Sequence, residues 1–129
     1  MKYDSFLEEY RSIAGTAVSY VKAYIAYRNE LRNLRAGLEN DYEYTVVHMH
    51  EDGIEVTAIY QGHYDDTIEE HSVPIEVMDM DDKDFHNHAL QRASRIVNEQ
   101  KEKGQKKAEQ RKQDDIRQAR RTLEKYGEQ

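Results

Sequence analysis

From Phe6 the apolar positions step by four and three without a break, through Tyr10, Ile13, Ala17, Tyr20, Tyr24, Tyr27, Leu31 and Leu34 to Leu38. That is a heptad seam, widened by Leu7, Ala14, Val21 and Ile25, and it predicts one long helix over residues 1–38. Asp4 or Ser5 is placed to cap its start, and Gly37 and Asn40 lie where its C-cap belongs. At 1.5 Å per residue such a helix is about 50 Å long, more than a small globule spans. It therefore packs against a second long helix or a copy of itself, or it projects from the globule. Gly15 within the small-residue run Ala14–Ala17 marks a crossing or a kink.

After Tyr42 the period changes to two. EYTVVHMH and IEVTAIYQG flank Asp52-Gly53, the dipeptide preferred in a two-residue type I′ hairpin. With that turn Met49 faces Val56, Val47 faces Ala58 and Thr45 faces Tyr60. On the other side His50 faces Glu55, His48 faces Thr57 and Val46 faces Ile59. A third strand over Thr67–Val73 follows the loop QGHYDD, and Pro74 ends it or keeps it at an edge. The sheet is thus a meander over residues 42–77.

From residue 79 the helical period returns and runs to 126. Asp79 or Asp81 is the expected N-cap, and Leu90, Ala93, Ile96 and Val97 make one apolar face. Between Asn98 and Asp115 the only apolar residue is Ala108, and Gly104 offers a point of fraying. Ile116, Ala119, Leu123 and Tyr126 then resume a heptad seam, as though to dock on something.

These elements give an α+β chain ordered α-β-β-β-α, one domain of 129 residues. The chain has no cysteine, which removes disulfides and thiolate chemistry. No stretch approaches the ~20 apolar residues of a membrane span, and the first residues lack a signal peptide's apolar run. A cytoplasmic protein without a cofactor is the expectation. The net charge of −7 is unevenly laid out. Residues 39–84 carry fifteen Asp/Glu against Lys83 alone, while residues 85–129 carry twelve Lys/Arg against seven Asp/Glu.

Three clusters are candidates for chemistry. His48 and His50 share a strand face, with Glu55 opposite, and would suit a divalent transition metal if further ligands joined them from His63 or His71. His-x-His on the wet side of a sheet is more often plain polar surface, so no metal is assigned. Asp79, Asp81, Asp82 and Asp84 lack the ligand spacing of a calcium loop and read as helix capping. Arg28, Arg32 and Arg35 form one basic stripe, and Arg117, Arg120 and Arg121 another. Either suits phosphates or an acidic partner, but net acidity and the absence of a nucleic-acid motif disfavour nucleic acid. No phosphate loop, nucleophile elbow or zinc-protease motif is present, so an enzyme is not expected. The acidic middle allows one further reading, as a mimic of nucleic-acid phosphates.

SVPIEVMDMDD, residues 72–82, follows an acidic meander and precedes a helix. In that layout it resembles small uncharacterised bacteriophage-encoded accessory proteins, over about a third of the chain. The resemblance implies an accessory protein or inhibitor that acts on another protein in the host cytoplasm, and it carries no functional residues with it. The expected function is protein–protein interaction, with self-association through helical seams at Tyr20, Tyr24, Tyr27, Leu31, Ile116, Leu123 and Tyr126. A nucleic-acid-associated protein using the C-terminal helix and a metal protein using His48 and His50 are the alternatives.

Overall fold

A computed structural model describes residues 2–62 and 64–127. Its order is α1 (Lys2–Leu31), a 3-10 turn (Leu38–Asp41), β1 (Tyr42–His50), β2 (Gly53–Gln61), β3 (Asp66–Pro74), a second 3-10 turn (Ile75–Asp79) and α2 (Asp82–Gly127). This is the expected α-β-β-β-α chain. Among the described residues no helix is long and apolar enough to cross a membrane. The chain divides into two compact units, residues 1–95 and residues 96–129.

In the first unit the strands form an antiparallel meander ordered β1-β2-β3. One face carries Ile54, Val56 and Ala58 of β2 and Val73 of β3, all buried. Ala17, Tyr20, Val21, Tyr24 and Ile25 of α1 complete the core with Val77, Ala89 and Ala93. The opposite sheet face is wet: Val47 is 59% and Ile68 63% exposed. A sheet with one apolar face covered by helices is the standard two-layer solution for a chain this small.

Helix α1 is shorter than its periodicity predicts. It starts at Lys2, so Asp4 lies in the first turn and is not the cap. It stops at Leu31, although the four-three stepping continues to Leu38. The stop is a Schellman motif: Leu34 N–H donates to Asn29 O at 2.9 Å and Asn33 N–H to Glu30 O at 3.0 Å. Asn33 supplies the left-handed residue at φ 59°, so neither Gly37 nor Asn40 is the cap. Nothing lies within 4 Å of a side chain built at Gly15, and α1 passes through it unbroken.

The hairpin register also differs from expectation. Glu51 and Asp52 form the turn, His50 pairs with Gly53, and Met49 pairs with Ile54 rather than Val56. A bulge between Val46 and His48 then shifts the ladder by one, pairing Val46 with Val56 and Thr45 with Thr57. Val47, expected inside, is turned out. The glycine serves closeness and not left-handed backbone, since Gly53 has no positive φ. A Cβ there would meet the Val73 carbonyl oxygen of β3 at 2.5 Å. Gly53→Ala is therefore expected to cost about 1–3 kcal/mol, as backbone must move. A lowered urea midpoint checks it; an unchanged one would mean β3 sits farther off.

Asp81, one of the two expected caps, starts α2: its carboxylate accepts from Asp84 N–H at 2.8 Å. In the second unit α2 continues through Gly104 without interruption. Every described residue from Asn98 onward is exposed. A side chain at Gly104 would meet nothing within 4 Å. Gly104→Ala should then stabilise this helix by up to about 1 kcal/mol. Stronger ellipticity at 222 nm on warming is the expected readout.

Candidate functional site

The alternation of β3 places Glu69 and His71 on the same side as Val73, facing the core. Arg28, three turns from the middle of α1 and near its C-terminus, points down to meet them. Its two terminal nitrogens bind both oxygens of the Glu69 carboxylate, Nη2 to Oε2 at 2.9 Å and Nη1 to Oε1 in a closer contact. His71 Nε2 lies 3.2 Å from the same Oε1. Around them stand aromatic rings: Tyr24 packs edge-on to His71 at 5.3 Å, Arg28 lies over Tyr24, and Tyr42 packs on Tyr60 at 5.4 Å. The Tyr44 hydroxyl donates to Glu39 O at 2.7 Å and ties the first 3-10 turn to the sheet.

Electrostatics follow from this packing. Burial alone would raise the Glu69 carboxyl, but hydrogen bonds from Arg28 and His71 and the charge of Arg28 outweigh it. The carboxyl is held well below the usual carboxylate range. Burial opposes the Arg28 charge in the same way, and the Glu69 hydrogen bonds hold the guanidinium more firmly protonated. Burial pushes the Tyr42 and Tyr44 phenols up, reinforced by neighbouring acidic groups. Arg28 is 7% exposed and the His71 side chain 9%. Groups so covered orient one another, and their chemistry is that of a buried ion pair. Arg28 Nε and Asn29 Nδ2 are buried without a hydrogen-bond partner.

A second polar set joins α1 to the start of α2. The Tyr20 hydroxyl shares a 2.6 Å hydrogen bond with His88 Nδ1, and Tyr27 shares one of 2.9 Å with His86 Nδ1. Arg92 lies over both Tyr20 and Tyr24 and donates to Ser72 O at 2.9 Å, linking α2 to β3. Burial raises the Tyr20 phenol, partly opposed by Arg92.

These contacts redistribute the residues singled out by sequence. Tyr20 and Tyr24 are core residues, and the half-buried Tyr27 bonds to His86, so all three are engaged within the chain. Leu31 remains partly exposed beside Leu90. The stripe of Arg28, Arg32 and Arg35 does not exist as such: Arg28 is buried, and Arg35 lies past the helix end, paired with Asp41. Arg117, Arg120 and Arg121 are exposed on α2, as are Ile116 (46%), Leu123 (73%) and Tyr126 (63%). His48 and His50 do lie together on the wet face, ring centres 5.4 Å apart, with His50 Nε2 3.6 Å from Glu55 Oε1. In the ladder it is His48, and not His50, that faces Glu55. Among the described residues no group of three or more His, Asp or Glu is placed to hold a metal ion. His63 lies outside the described residues.

The sequence singled out His71 only as a possible metal ligand and did not single out Glu69, because the acidic run around them reads as surface. The signal was present in their even spacing from Val73. Comparison with protein-family models, with curated proteins and with solved structures gave no match.

Proposed function

We propose that the protein is a non-enzymatic interaction module that assembles with protein through the C-terminal part of α2. One observation carries this reading. Ile116, Ala119, Leu123 and Tyr126 form an apolar stripe on a helical segment whose other residues, from Asn98 onward, are almost all polar, and all of it is exposed. Each large apolar side chain covered by a partner would contribute about 1.5–3 kcal/mol. A solvated helix with no partner has no reason to keep such a stripe.

The ionisable groups of the first unit support the same reading, since its best-built cluster is closed into the core. A phage accessory role on another protein is compatible with this chemistry. Sedimentation equilibrium is the test. Untagged protein is expected to show a concentration-dependent mass above the 15.3 kDa of one chain. A single species of that mass at every concentration would remove self-association. Binding to duplex DNA that fades steeply with salt would favour the nucleic-acid reading of Arg117, Arg120 and Arg121 instead.

A further inference from the structure

A shallow groove of about 390 Å³ lies between the first half of α1 and the second 3-10 turn, lined by Glu9, Ser12, Ile13, Thr16, Ile75, Met78 and Asp79. Phe6 and Tyr10 continue its apolar floor on the Ile13 stripe and are 62% and 43% exposed; Ile75, on the facing wall, is 42% exposed. This is an uncovered apolar strip with an acidic margin. Residues 4–13 and 75–79 together carry five Asp/Glu against Arg11 alone.

We infer that this groove receives the C-terminal segment of α2, residues 111–126, from a second copy of the chain. The inference rests on the self-association reading and says where the seam docks. Charge is the first argument: residues 111–125 carry six Lys/Arg against three Asp/Glu, opposite in sign to the groove margin. Lys112 falls one turn before Ile116 on the apolar stripe, and Arg120 flanks it; both are opposite in sign to Glu9 and Asp79 at the groove margin. Length is the second argument. Phe6 to Thr16 and Ile116 to Tyr126 each span ten residues, about 15 Å of helix at 1.5 Å per residue. Seam-on-seam pairing is the competing arrangement, and charge disfavours it. In an antiparallel pair that aligns Ile116 with Tyr126 of the other copy, the two Arg120 side chains lie on the same flank, only two residues out of register. In a parallel pair, Glu109 meets Glu109 and Lys112 meets Lys112 along the stripe.

The absence of cysteine makes the test clean. Ile13→Cys and Leu123→Cys chains, mixed and mildly oxidised, are expected to give a dimer whose disulfide joins residues 13 and 123. Leu123→Cys alone should cross-link at least about tenfold less. Efficient 123–123 cross-linking would overturn the groove assignment while keeping assembly through α2. A native chain that is monomeric throughout would overturn both. A charge exchange covers the case in which cysteine variants fail to associate. Glu9→Lys with Asp79→Lys should weaken assembly about tenfold or more. Lys112→Glu with Arg120→Glu should do the same, and mixing the two variants should restore it. Failure of the mixture to recover would overturn the proposal.

Discussion

Glu69→Leu is expected to destabilise the first unit by about 3–5 kcal/mol at neutral pH, because it leaves the Arg28 guanidinium buried and uncompensated. The loss belongs to the broken pair and not to the missing carboxylate as such. Replacing both partners, as in Arg28→Met with Glu69→Leu, should recover most of it, since two apolar groups of similar bulk need no desolvation offset. The pH dependence has a definite sign. The folded-state carboxyl titrates below its ordinary value of 4.5. Its contribution is therefore fully present above about 4.5 and is lost as pH falls through and below that value. Native protein should lose stability steeply on acidification in this range, and the double variant should do so less. Nine of the ten tyrosines precede residue 96, so near-UV circular dichroism in urea follows this unit specifically. A Glu69→Leu midpoint equal to the native one, or an acid limb unchanged in the double variant, would show that the pair is not the buried anchor described here.

The pattern of apolar positions specified the five elements and their order, because period 3.6 and period 2 are local properties. What it did not specify were the points where two elements compete for one residue. Asp52-Gly53 has the composition of a type I′ turn, yet Gly53 is drawn into β2 because only a glycine fits against the Val73 carbonyl. The turn therefore slides back to Glu51 and Asp52, and the bulge at Val47 turns Val46 inward in its place. Leu34 and Leu38 extend the heptad stepping, but Asn33 in the left-handed region ends α1 before them. Tyr20, Tyr24 and Tyr27 show the same ambiguity in another form. A four-three stripe says that a face will be covered and not by what; here α2 and β3 of the same chain cover it. The buried pair was hidden for an electrostatic reason. An acidic run reads as solvated surface unless a cation is known to stand opposite, and Arg28 lies forty-one residues away in sequence.

Leu123→Glu is expected to convert the assembled protein to a 15.3 kDa monomer at micromolar concentration. Leu123 sits mid-stripe, three and four residues from Tyr126 and Ala119, so covering the seam buries it and a carboxylate there would be desolvated without a partner. The same substitution should lower helix content. The described residues from Asn98 onward are all exposed, and their own support is modest: hydrogen bonds of 3.1 Å from Gln110 to Asp114 and 3.0 Å from the Thr122 hydroxyl to Gln118 O, with Glu99–Lys103, Glu102–Lys106, Arg111–Asp115 and Arg120–Glu124 at helical spacing. Such pairs contribute about 0.2–0.5 kcal/mol each, and Lys103–Lys107, Lys107–Arg111, Arg117–Arg121 and Arg121–Lys125 oppose them by similar amounts. Packing must then supply most of the order in this segment. Ellipticity at 222 nm should fall with dilution of the native chain and be low at every concentration in Leu123→Glu. Near-UV tyrosine signals, which report the first unit, should stay native. Leu123→Met, which keeps bulk and apolarity, should assemble nearly as well as the native chain. If Leu123→Glu keeps the native mass and helix content, the stripe at Ile116–Tyr126 is not the surface through which this protein associates.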